Sequence, residues 1–362
     1  MIQIESLEEV NNIEGENIME KENNKSETFY IYILNILSCF AVICLHHNGA
    51  VHSFSNTLGW KQALSVEVLA YWAVPVFYMI SGATLMNYRE RYSTKIFLKK
   101  RFLKVGIPFF AWSGMLLIKD ILNGGVVLKQ PVGVSFVETI MNIQVLNVYW
   151  FFPVIFSIYM IIPVLSLIKD NRRVLWYCVA CMFMLYSVLP ILCKWLQIQW
   201  YSGWKFPVDS AVLYVILGYL LSTEKLNKKR RIVIYTLGTC GALIRYLYTY
   251  FASIALNDVN RDLFGYEYFP AVLLSVAVFV FVKTHSWKKI KNSIWNKYIV
   301  KIASCSFGIY LIHIPIMNFE SNILHFPQNI LWRSVGVCMT YIVALISVSV
   351  MKKIPVVKYI VP

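Results

Sequence analysis

From residue 29 onward the chain alternates long apolar stretches with short polar ones. Apolar runs lie near 29–47, 64–86, 102–122, 148–168, 174–196, 207–223, 231–256, 269–283, 299–319 and 330–351. Most are long enough to cross about 30 Å of hydrocarbon as a helix. The pattern therefore predicts an all-α, polytopic bundle of about ten transmembrane helices. The 269–283 run is short, which fits a tilted or partly re-entrant passage. Residues 136–146 (FVETIMNIQVL) are amphipathic and fit the membrane surface. Ahead of the first run, residues 1–28 are polar and contain no aromatic residue. Such a segment has too little apolar surface to order itself, so it reads as a disordered cytoplasmic tail. It has no basic region leading into a short apolar core, so it does not read as a cleavable signal peptide. The organisation expected is this tail followed by one membrane domain over 29–362.

Composition sharpens the picture. Hydrophobic residues make up 58% of the chain and charged residues only 15%, against roughly 45–50% and 25% in soluble proteins. The formal net charge is nevertheless +15. These values exclude a soluble enzyme, a disordered protein and a disulfide scaffold, and they speak against a nucleic-acid partner. The tail holds 8 acidic and 2 basic residues, which leaves 32 basic and 11 acidic residues for the rest of the chain. With the N-terminus inside, the tail, the inner loops and the C-terminus hold 26 of the Lys and Arg residues. The outer loops hold four: Lys61, Lys129, Lys205 and Arg261. This asymmetry places both termini in the cytoplasm. The environment predicted is a lipid bilayer, the bacterial inner or plasma membrane.

Ionisable groups inside such spans are energetically expensive and point to function. His46 and His47 end the first span. They fit an interfacial pair equally well as a general base, whose ordinary pKa near 6.5 suits proton transfer at neutral pH. Glu67 lies near the outer end of the second span, Glu138 before the fourth, and Asp209 at the start of the sixth. Each is a candidate to orient His46. Pro75 and Ser81–Gly82 mark a bend or a close helix approach. The stretch YRERYSTKIFLKKRFLKVGIP just inside contains Lys100, Arg101 and Lys104. Arg101 and Lys104 are one helical turn apart. Topogenic charge and a phosphate-binding entrance both explain the cluster. Arg245, mid-span, requires a partner or a polar cavity. His313 reads as a structural histidine. All eight cysteines fall in spans, and the spacing of Cys178 and Cys181 has no second pair to complete a metal site. No metal is expected.

Five stretches, in order, resemble the acyltransferase-3 family of integral-membrane O-acyltransferases, and the likeness covers roughly residues 29–350. They are the first span ending in His46, VPVFYMISGATL at 74–85, KKRFLKVGIPFFAW at 99–112, YWFFPVIFSIYMIIPVL at 149–165 and SFGIYLIHIPI at 306–316. The resemblance implies an acyl-CoA co-substrate, acetyl-CoA above all, entering from the cytoplasm. It implies CoA-binding roles for Arg101 and Lys104, with Lys100, Asn35 and Ser81 nearby. It implies His46 as general base; Glu67 and Asp209 join the candidate catalytic set from their positions alone. The acceptor implied is a hydroxyl of a cell-surface glycan or its precursor. The chain departs from the family pattern at three places. Asn35 stands where the family carries Arg or Lys eleven residues before the histidine, and Tyr32 stands where it often carries Asp. Lys104 replaces the second arginine of the basic motif, and Asn147–Tyr149 carry no histidine ahead of Trp150. The reading is a membrane O-acyltransferase, most naturally an O-acetyltransferase of the cell envelope. The alternative is a non-catalytic exporter of a polysaccharide through the same bundle. A homo-oligomer stays open.

Overall fold

The computed structural model describes residues 28–323 and 329–362. The tail expected at 1–28 therefore lies, apart from Thr28, outside the described residues. Every regular element among the described residues is helical. The first span is α1, Phe29–His46. The second apolar run forms two helices, α2 (Leu58–Ala70) and α3 (Ala73–Leu85), separated at Tyr71 and Trp72. The break lies one turn ahead of Pro75, which has no N–H for the Tyr71 carbonyl four residues earlier, so the bend expected there is present. Next come α4 (Thr94–Leu122), the short α5 (Val132–Met141) and α6 (Phe151–Leu165). Helix α5 occupies the amphipathic segment, and within it Val134, Val137 and Met141 are exposed.

A long element follows, made of α7 (Arg172–Met182), a π-helical turn at Phe183–Val188 and α8 (Leu189–Trp195). Then come α9 (Ala211–Thr223), α10 (Lys228–Leu256) and α11 (Phe269–Thr284). The chain closes with α12 (Lys288–Lys291), α13 (Trp295–Ile323), a π-helical turn at Trp332–Gly336 and α14 (Val337–Met351).

Eight of the described segments are long and apolar enough to cross a membrane. The two remaining expected spans appear as α9, 13 residues, and α11, 16 residues. Their shortness has a physical reason. Every residue of α9 from Ala211 to Leu221 is buried, so this helix is enclosed by protein rather than lipid. A sequence apolar on all sides is what that position requires.

Helices α3 and α9 meet through a reciprocal pair of glycines. A Cβ built at Gly82 would sit 1.9 Å from the Val215 carbonyl oxygen, and one at Gly218 would sit 2.0 Å from that of Met79. Only glycine permits this approach, as at small-residue crossings in membranes. Gly238 and Gly241 of α10 similarly admit Ala277 and Pro270 of α11.

The loop cations sort to one end of the bundle. Lys283 donates to the Leu221 and Glu224 carbonyls, and Arg172 pairs with Glu224 at 3.1 Å. Lys169 pairs with Glu90, and Lys352 donates to the Ser304 carbonyl at 2.6 Å. The Glu90 hydrogen bond holds the Lys169 ammonium pKa above its usual value. These are the loops expected on the inside, and they share one face.

Candidate functional site

A cavity of about 330 Å³ runs along α1 from the cation-rich end toward His46. Asn35, Val42 and His46 of α1 line it, with Phe77, Ile80 and Ser81 of α3, and Arg101 and Lys104 of α4. On the far side stand Tyr159 of α6 and Ser304, Ser306 and Tyr310 of α13. Trp150 and Tyr266 close the end near His46. The helical rise separates Asn35 from His46 by about 16 Å, so the cavity reaches across much of the bundle's thickness.

Five of the nine residues weighed for the site thus share one cavity: His46, Asn35, Ser81, Arg101 and Lys104. Lys100 does not line it. Its ammonium lies over the Tyr92 ring, 4.5 Å from the centroid, on the exposed face of α4. The three acids are placed elsewhere. Glu67 is buried against Arg245 at 3.9 Å and accepts from Asn48 at 3.4 Å. Asp209 accepts from the backbone N–H of Ala211 at 2.8 Å, at the start of α9. Glu138 is exposed on α5. Among the described residues, no Asp or Glu lines the cavity, and Arg101 and Lys104 are its charged groups.

Local chemistry explains how these side chains are held. Ser81 donates back to the Phe77 carbonyl at 3.1 Å, and Asn35 to the Ile31 carbonyl at 3.0 Å. Arg101 donates to the Tyr92 hydroxyl at 3.5 Å, while its buried Nε has no hydrogen-bond partner among the described residues. A guanidinium with unused donors, facing a cavity that no Asp or Glu side chain lines, is arranged to take an anion.

The neighbouring histidines have opposite surroundings. His47 is fully buried. Its Nδ1 donates to the Trp332 carbonyl at 3.1 Å, and its Nε2 meets the Thr340 hydroxyl at 2.9 Å. Thr340 in turn hydrogen-bonds Glu320. Gly336, in the π-helical turn, leaves room for this ring, since a Cβ there would lie 3.3 Å from it. His46 is half-buried, lines the cavity, and packs against His313 with ring centroids 5.0 Å apart.

The His46 end of the cavity is built on a proline. Pro315 inside α13 has no N–H to offer the Leu311 carbonyl one turn earlier. Tyr149 fills that vacancy, donating its hydroxyl to Leu311 at 3.1 Å. Tyr310 donates to the Val148 carbonyl. The two tyrosines fasten the turn at Asn147–Trp150 to α13 and fix Trp150 beside the cavity. Trp150 and Tyr266 lie nearly parallel, centroids 5.7 Å apart, and Tyr71 stacks behind Tyr266 at 4.3 Å.

No group of three or more His, Cys, Asp or Glu that could hold a metal occurs among the described residues. The bundle thus holds a basic cavity that runs to a histidine and that no Asp or Glu side chain lines. Residues 29–349 match the family of the acyltransferase-3 domain (Acyltransferase domain). The match covers most of the chain, so the protein belongs to the acyltransferase-3 family and is a multi-pass membrane protein of that kind. No curated protein and no solved structure matches the chain.

Proposed function

We propose that this protein moves an acyl group, an acetyl group in the simplest case, from acyl-CoA to a hydroxyl of a cell-envelope glycan or its precursor. The observation that carries the proposal is the single cavity joining Arg101 and Lys104 to His46. CoA phosphates would meet the guanidinium and the ammonium at the cation-rich end, taken as cytoplasmic. Arg101 supplies a planar fork for phosphate and Lys104 a point charge. The pantetheine arm would run along the apolar wall, past Ser81, and present the thioester near His46. Trp150 and Tyr266 offer flat apolar faces there for a sugar ring.

In the reaction, a neutral His46 takes the acceptor's hydroxyl proton while the oxygen attacks the thioester carbonyl carbon. The C–S bond then breaks, and the departing thiolate takes the proton from the His46 imidazolium. The acyl group becomes an ester, CoA leaves as the free thiol, and His46 is regenerated. A cavity of about 330 Å³ suits one thioester and one sugar unit better than a polymer strand. That favours transfer over the export of a polysaccharide.

The test is turnover of acetyl-CoA by the purified protein with envelope glycans as acceptors. We expect transfer by the wild type, and loss of at least about 100-fold in kcat for His46→Ala, the usual worth of a general base. Equal transfer by His46→Ala would overturn the assigned chemistry.

A further inference from the structure

His46 can serve as a base only with one ring nitrogen bare toward the substrate and the other N–H held by an acceptor. A carboxylate side chain is the usual holder, yet among the described residues no Asp or Glu lines the cavity. The ring packed against His46 belongs to His313.

The proton inventory of His313 is fixed by its surroundings. Its Nδ1 lies 2.6 Å from the Tyr310 carbonyl oxygen. A carbonyl accepts only, so Nδ1 carries the proton and Nε2 of the neutral ring carries a lone pair. That Nε2 is buried and has no hydrogen-bond partner among the described residues. An unfilled acceptor in an apolar interior costs about 1–3 kcal/mol, so its persistence calls for a use. The spacing supplies one. With each nitrogen about 1.2 Å from its ring centre, an N–H···N bond of about 2.9 Å sets two imidazole centres about 5 Å apart. The observed separation is 5.0 Å. His46 is half-exposed and lines the cavity, whereas His313 is fully buried and tied to its own helix. Hydrogen bonds of this type are commonly unmade in a ligand-free site.

We infer that His313 is the positioning residue for His46: its Nε2 accepts the His46 N–H and leaves the other His46 nitrogen bare toward the acceptor hydroxyl. The inference rests on the acyl-transfer reading for its consequence, and on the ring pair alone for its geometry. Pro315 and the Tyr149 bond to Leu311 fix the stretch of α13 that carries His313, so the acceptor belongs to the rigid side of the pair.

Two measurements separate the pair from the reaction. The first compares His313→Gln, whose amide oxygen can stand where Nε2 stood, with His313→Phe, which has no acceptor. His313→Phe is expected to lose about 100-fold in kcat, with KM for donor and acceptor within about two-fold of wild type. His313→Gln is expected to recover at least about ten-fold of that loss. Equal kcat for the two variants, or a loss confined to KM, would overturn the inference. The second measures nitrogen–nitrogen coupling between His46 and His313 in nitrogen-15 histidine-labelled wild-type protein by solid-state NMR, without ligand and with CoA present, and needs no turnover. A coupling between the two rings in either state supports the pair, and its absence in both overturns it. A wild-type protein that shows the coupling but turns over no acyl-CoA would sink the donor assignment and leave the pair standing.

Discussion

Two charged clusters sit inside this bundle and are handled in opposite ways. Arg245 is almost fully buried and has Glu67 at 3.9 Å and the Tyr71 ring at 3.5 Å from its guanidinium carbon. Arg101 and Lys104 face a cavity that no Asp or Glu side chain lines. Both guanidiniums keep buried donors without a hydrogen-bond partner among the described residues, Nε in Arg101 and Nε and Nη2 in Arg245. The difference lies in charge: the first cluster has an acid beside its cation, and the second has none from a side chain. In a low-dielectric interior, a compensated charge holds helices together and an uncompensated one waits for a ligand. The same residue type thus serves structure at one place and recognition at another, and the neighbours decide which.

The comparison can be broken by removing the acid of the first cluster. Glu67→Ala would leave Arg245 buried without its acid, at an expected loss of about 3–5 kcal/mol. Thermal unfolding in detergent reads this as a large drop in midpoint and in folded yield. Replacing both partners, as Glu67→Leu with Arg245→Met, is expected to recover most of that loss, because no unpaired charge remains. If the double variant is no more stable than the single one, the pair is not self-contained.

The second cluster should respond in binding rather than in stability. Arg101→Ala is expected to keep the thermal midpoint within a few degrees and to raise KM for acyl-CoA about ten-fold, a charge-assisted contact of about 1.4 kcal/mol. The smallest effect is expected from Lys104→Arg, which adds a fork and keeps the charge. A fall in donor KM of no more than about three-fold is the expected reading. A stability loss in Arg101→Ala matching that of Glu67→Ala would erase the distinction.

Much of this was legible in the chain. The apolar periodicity predicted the helical bundle. His46, Arg101 and Lys104 stand out by their positions, Asn35 and Ser81 through the family resemblance, and the structure brings the five to one cavity. Helix ends and one-turn spacings are local properties, so a sequence carries them. What was hidden depends on how helices face one another. Glu67 points to Arg245, 178 positions later in the chain, and nothing along α2 reveals that. His313 reads as an ordinary buried histidine until its neighbour across the interface is seen to be His46. The π-helical turns at 183–188 and 332–336 were equally invisible. Helix α9 reads as an ordinary span although protein encloses it, because burial by protein and burial by lipid select the same side chains.

The crossing of α3 and α9 at Gly82 and Gly218 has a mechanical consequence. With backbone oxygens already where any Cβ would stand, the two helices have no clearance to slide, so they move as one block. That block carries Phe77, Ile80 and Ser81, one wall of the cavity. Across from it, α4 shows Ile107, Phe110, Met115 and Ile118 to the outside and has far less protein packed around it. The wall opposite the fixed block is thus the less enclosed one, and it is the wall that carries Arg101 and Lys104.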